Sequence, residues 1–184
     1  MGEKFLDPKN DYAFKKVFGT EKHKPILIHF LNDILKPSHP IQSVSFLPTI
    51  QDPEAAAKKQ SIVDVLCKDQ EGFQYIVEMQ VAHSEAFVER AQYYACKAYA
   101  SQGKKGQKYK FLRPVIFLAI TNFVMFKDKR GYQSNHVILD KEHFTQDLNS
   151  LSFTFLELPK FRKKLNELQT NTDVGCIFSN MHLI

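Results

Sequence analysis

The period of apolar and polar positions changes several times along the chain. Behind the turn-like Asp7-Pro8-Lys9-Asn10, with its good N-cap residues, Tyr12, Phe14, Val17 and Phe18 sit among Lys15 and Lys16. That is the pattern of a short amphipathic helix closed by Gly19. Lys24-Pro25 opens a second helix, in which Ile26, Leu27, Phe30, Leu31, Ile34 and Leu35 keep the i, i+3, i+4 rule until Pro37 and Pro40. Residues 41–47 alternate as a short strand does, and 52–60 are polar and read as a loop. Residues 61–68 (SIVDVLCK) and 73–81 (FQYIVEMQV) read as two strands joined by the hairpin signal Asp69-Gln70-Glu71-Gly72. Residues 85–101 are rich in Ala and free of Gly and Pro, a strong helix broken by Gly103 and Gly106. A continuous apolar run at 115–120 suits a buried strand, 136–139 and 151–156 read as further strands, and an amphipathic helix is expected from Pro159 onward. The order predicts one mixed α/β domain, a central sheet flanked by helices.

The hairpin brings acids together. A three-residue loop at 70–72 gives paired residues a constant index sum of 142, which sets Asp64 opposite Glu78; other loop lengths shift this by one or two. Gln74, Ile76, Glu78 and Gln80 share one face of their strand, and Phe73, Tyr75, Val77 and Met79 take the other. Two carboxylates and a carboxamide thus converge on an otherwise apolar hairpin. Buried charge there is costly unless it is paired or binds a metal, and a divalent cation relieves the repulsion of two close carboxylates. Ion pairing of each acid with Lys or Arg is the alternative reading.

Composition and charge narrow the partners. The chain has 184 residues, 25 of them basic and 20 acidic, for a net charge of +5. No acidic residue lies between Glu89 and Asp128, a window holding Arg90, Lys97, Lys104, Lys105, Lys108, Lys110, Arg113 and Lys127. Those eight charges leave 17 basic against 20 acidic residues elsewhere, so the basicity is local and suggests a polyanionic partner. Cys67, Cys96 and Cys176 are too few and too widely spaced for a disulfide framework or a zinc site. His83, His136 and His143 lack ligand spacing, and no phosphate-binding glycine loop or nucleophile-elbow motif occurs. With no apolar run of membrane-spanning length and no signal-like start, a cytoplasmic protein without membrane association is expected.

Five stretches carry a resemblance: residues 7–19 (DPKNDYAFKKVFG), 62–66 (IVDVL), 76–80 (IVEMQ), 87–94 (FVERAQYY) and 155–161 (FLELPKF). They resemble the PD-(D/E)xK nuclease core, and more narrowly the Rpn family of recombination-promoting nucleases, bacterial transposase-like proteins. The resemblance implies a restriction-endonuclease-like fold over residues 1–170, with 171–184 as a tail that departs from the family and suggests a truncated reading frame. It implies a Mg²⁺-dependent DNA endonuclease, with Mn²⁺ able to substitute, acting in recombination or transposition; self-association stays open. Asp64 and Glu78 become metal ligands, joined by the Met79 backbone carbonyl and by Asp11 as an extra acid. Gln80, where many relatives carry Lys, positions the attacking water; glutamine can orient by hydrogen bonds but brings no charge, and Lys97 is a candidate for the missing cation. Lys15, Arg90, Tyr94, Lys97, Lys104, Lys105 and Lys108 are candidate DNA contacts, Arg90, Tyr94 and Lys97 because i, i+4, i+7 puts them on one helix face. The departure at Gln80 and the altered tail keep open an inactive nucleic-acid-binding or protein-interaction module, and beyond it a plain sheet protein with paired acids.

Overall fold

The computed structural model describes residues 10–51 and 61–162. Helix α1 (Asp11–Phe18) starts at Asn10, whose Oδ1 accepts the Tyr12 amide at 2.9 Å, and closes at Gly19. Helix α2 (Lys24–Leu35) ends where Lys36 takes a left-handed conformation, φ 46°. Strands β1 (Val44–Phe46), β2 (Ile50–Gln51), β3 (Ser61–Ile62), β4 (Val65–Asp69) and β5 (Gln74–Gln80) precede helix α3 (Phe87–Ala100). Strands β6 (Val115–Thr121), β7 (Gln133–Val137) and β8 (Leu151–Glu157) complete a six-stranded mixed sheet of order β1-β4-β5-β6-β8-β7; β2 and β3 pair separately. Strands β5, β6 and β8 are mutually parallel. Among the described residues, no helix is long and apolar enough to cross a membrane.

The β4–β5 hairpin has the expected register, Val65 facing Val77 and Leu66 facing Ile76. Its turn is sealed by Asp69, whose Oδ1 accepts the amides of Glu71 and Phe73, both at 2.9 Å, while Gly72 adopts φ +87°. Tyr75 donates its hydroxyl to the other Asp69 oxygen at 2.8 Å.

The two faces divide as the alternation predicts. Tyr75, Val77 and Met79 pack toward α1 and α2, with Phe14, Leu27 and Leu31. Ile76 and the β6 residues Phe117 and Ala119 pack toward α3, which presents Phe87, Ala91, Ala95 and Ala98. The three alanines let α3 lie close on the sheet. They also leave Arg90, Tyr94 and Lys97 half-buried along the flank of the contact.

Four expectations are corrected. Residues 61–68 are not one strand: the Val63 amide bonds to the Thr49 carbonyl at 3.1 Å, and the chain bends at Asp64 before β4 begins. The strand expected at 136–139 lies at Gln133–Val137, on the sheet edge, and 41–47 shrinks to Val44–Phe46 because Asn32 ties down Ile41 by two hydrogen bonds, at 2.8 and 2.9 Å. Where a helix is expected from Pro159, the described residues form a 3-10 turn, Leu158–Lys160, followed by extended Phe161 packed on Tyr132 at 5.0 Å between ring centroids. Its remainder and the tail 171–184 lie outside the described residues.

Candidate active site at the end of the parallel strands

The bend at Asp64 makes the site. The β4–β5 ladder stops at Val65↔Val77, because Val63 has turned away to Thr49. Beyond that point side chains, not a continued ladder, join the two segments. The Asp64 amide donates to Glu78 Oε1 at 3.1 Å, and the Met79 amide donates to Asp64 Oδ2 at 2.9 Å. Each carboxylate is thus pinned by the backbone beside the other. In a strand the amide and carbonyl of one residue point to the same edge, so the Met79 carbonyl faces the opening where Asp64 lies.

Three side chains from two helices and the strand end surround the pair. Gln80 Nε2 donates to Glu78 Oε2 at 3.2 Å, and Arg90 Nη2 donates to Gln80 Oε1 at 2.6 Å. Arg90 also lies over the Phe87 ring, 5.0 Å from its centroid, which fixes the guanidinium. From α1, Lys15 Nζ stands 3.2 Å from Asp64 Oδ1. The ion-pair alternative therefore holds for Asp64, while Glu78 receives positive charge only at one remove, through Gln80.

Glu78 is 4% exposed. Burial, and then the charge of Asp64, push its carboxyl up from 4.5 to about 8 against the opposing pull of the Asp64 amide, Arg90 and Gln80. Burial likewise raises the Tyr94 phenol, with Arg90 opposing and both carboxylates adding to the shift, which places Tyr94 within their field. A carboxylate that its own surroundings fail to charge fully is one that a cation would stabilise. The donors suit a hard cation: two carboxylates and a carbonyl, with room in the coordination shell for water and phosphate oxygens, the set Mg²⁺ favours. No group of three or more His, Cys, Asp or Glu side chains that could hold a metal is found among the described residues. Asp11 opens α1, but its carboxylate lies outside the described side chains.

The structure thus brings together Lys15, Asp64, Glu78, Met79, Gln80, Arg90 and Tyr94. Lys97 continues the Arg90–Tyr94 row about 10 Å farther along the axis, seven residues at ~1.5 Å each. Lys104, Lys105 and Lys108 are not beside the carboxylates. Helix α3 runs back from Gln80, so its end lies at the hairpin tip: Gln102 bonds both backbone groups of Arg113 at 2.9 Å, and the Arg113 side chain lies against Gly72. Fourteen helical residues put those lysines about 20 Å from the acids.

One buried group escaped the sequence reading. Glu157, fully buried at the end of β8, accepts the Met125 and Phe126 amides at 2.5 and 3.0 Å. Its other oxygen meets Lys160 Nζ at 2.7 Å. The available signal was an i, i+3 Glu–Lys pair set among Phe155, Leu156, Leu158 and Phe161.

In comparisons with known proteins, the family model described as PD-(D/E)XK nuclease family transposase matches residues 8–177. No curated protein and no solved structure gives a significant match.

Proposed function

The chain belongs to the PD-(D/E)XK nuclease family of transposases, and from that premise we propose that it is a divalent-metal-dependent DNA endonuclease acting in recombination or transposition. The observation that carries this reading is the exchange of hydrogen bonds between Asp64 and the β5 end: Asp64 amide to Glu78 Oε1, Met79 amide to Asp64 Oδ2. It holds two acids at one point, on a rigid strand end, with cationic side chains on both flanks.

In this reading Asp64, Glu78 and the Met79 carbonyl would hold Mg²⁺ or Mn²⁺. The bound ion supplies acidity to a water and neutralises phosphate charge. The remaining work belongs to the chain. Glu78 and Arg90 occupy one hydrogen and one lone pair of the Gln80 amide, leaving one of each to orient an attacking water. Arg90 supplies through Gln80 the positive charge that a lysine would bring directly, a role in which Lys97 is too distant. Lys15, half-exposed beside Asp64, would serve as a contact for the scissile phosphate.

Plasmid nicking across a series of divalent cations tests this. Asp64→Ala should reduce nicking on the order of a thousandfold or more, the equivalent of about 4 kcal/mol of lost charge stabilisation, with an unchanged thermal unfolding profile in chelator. Full cleavage by that variant overturns the assignment. A folded wild-type chain that takes up neither Mg²⁺ nor Mn²⁺ in calorimetric titration would instead favour an inert binding module.

A further inference from the structure

Resting on the nuclease reading, we propose that residues 122–131 form a second contact for the DNA phosphate backbone, through Lys127 and Arg130, and that buried Glu157 and its ion-pair partner Lys160 are its positioning residues. The segment leaves β6 at the same sheet end as the carboxylates. The Asn122 amide donates to the Gln80 carbonyl at 2.9 Å, so the segment begins beside a site residue. Gln80, Thr121 and Glu157 form one row across the adjacent strands β5, β6 and β8.

The segment is pinned along its length. Thr121 Oγ1 donates to the Phe123 carbonyl at 2.9 Å. Glu157 holds the amides of Met125 and Phe126. Lys160 Nζ donates to the carbonyls of Phe126 and Lys129, at 2.6 and 2.8 Å, as well as to Glu157. The Glu157 amide in turn donates to the Tyr132 carbonyl at 2.7 Å. A desolvated ion pair with this many backbone partners adds little net stability but enforces one geometry.

That geometry turns charge outward. Lys129 folds back, its amine 4.8 Å over the Phe126 ring and 3.3 Å from His136 Nε2. Lys127 and Arg130 are exposed, and Asp128 is the one acid in the segment. A line of rings ties the segment to the site face: Arg90 on Phe87 at 5.0 Å, Phe87 to Phe155 at 6.4 Å, Phe155 to Phe126 at 5.3 Å. With one strand between β5 and β8, the Glu157 row lies about 10 Å from Gln80. That is about three base pairs of duplex at ~3.4 Å each. The more basic lysines at 104–108 sit at the other end of α3. Phosphates flanking a duplex bound at the carboxylates therefore meet Lys127 and Arg130 first.

Fluorescence anisotropy of a short labelled duplex, with the full chain in chelator over a salt series, reads the contact. Lys127→Ala with Arg130→Ala should lower the logarithmic salt slope by about 2, at ~0.9 per phosphate contact, and weaken binding about tenfold at moderate salt. Lys127→Arg with Arg130→Lys should restore both. Lys104→Ala, Lys105→Ala and Lys108→Ala together should cost less affinity than the double variant. A wild-type slope in the double variant, or a larger loss in the triple, overturns the proposal. Those results are separable from failure of the nuclease reading, which shows as absence of metal-dependent nicking by the wild-type chain.

Discussion

Glu78 and Glu157 invite comparison because they are the same residue in nearly the same place. Both close parallel strands of one sheet, on the same face, with β6 between them, and both are buried. Their surroundings differ in sign. Glu157 has two backbone amides on one oxygen and an ammonium on the other. Glu78 has one amide, one carboxamide and a second carboxylate opposite. The first acid is compensated by the fold itself; the second is left short of positive charge. Burial alone does not distinguish a structural acid from a chemical one. What surrounds the carboxylate does: where the protein withholds the counter-charge, a ligand is expected to provide it.

Exchanging the losses tests this contrast most severely. Glu78→Ala should abolish metal-dependent nicking, on the order of a thousandfold, while the chain still folds in chelator. Glu157→Ala should do the reverse in kind. Stranding the Lys160 ammonium costs about 3–5 kcal/mol, read as a lowered denaturation midpoint, and the loop that Glu157 pins loosens with it. Removing both charges, as Glu157→Gln with Lys160→Met, should recover a large part of that stability, since no buried ion is then left alone. If Glu78→Ala proves as destabilising as Glu157→Ala, the two acids are alike and the contrast fails.

The next test is one of pH. A carboxyl raised from 4.5 to about 8 binds its proton more tightly in the folded state than in the unfolded one. Its contribution is fully present below about pH 4.5 and is lost as pH rises through 8. In chelator, wild-type stability should therefore fall across that window relative to Glu78→Gln. The difference should reach about 4 kcal/mol by pH 8, given ~1.4 kcal/mol per unit over the span from 4.5 to about 8. The charged groups facing Glu78 are Asp64, with Lys15 behind it, and Arg90. Added Mg²⁺ should flatten the wild-type curve and leave that of Glu78→Gln unmoved. Parallel curves for the two proteins would show that Glu78 titrates normally.

Much of this arrangement was legible in the sequence because it rests on local rules. Turn chemistry at Asp69 and Gly72 sets the hairpin length, and the length sets which residue faces Glu78. Helical spacing alone puts Arg90, Tyr94 and Lys97 on one face, and the structure shows that row half-buried. What stayed hidden depends on where elements return in space. The lysines at 104–108 share the acid-free basic window with Arg90, but α3 carries them to the opposite end of the sheet. The break before Asp64 depends on a long-range bond to Thr49, which no pattern within 61–68 reveals. Glu157 and Lys160 do not stand out in the sequence, because what encloses them is the loop laid over them, which no local spacing reveals.

Arg90 gives the smallest and most discriminating effect. Its guanidinium is held by the Phe87 ring and spends a 2.6 Å hydrogen bond on Gln80 rather than on an acid. If that charge acts through the carboxamide, Arg90→Met should lower the nicking turnover about ten- to a hundredfold, the scale of one lost electrostatic donor. Arg90→Lys should recover only part, since an ammonium lacks the planar fork and stacks less well. The coupling decides the mechanism. Two residues acting as one unit are non-additive, so Gln80→Ala with Arg90→Met should be no slower than Gln80→Ala alone. Were Arg90 instead a direct phosphate contact, the two losses would multiply, and Arg90→Met would also lower the salt slope of DNA binding by about 1. An unchanged slope with a strong coupling energy places Arg90 behind Gln80, where it completes the charge that Glu78, unlike Glu157, does not receive directly.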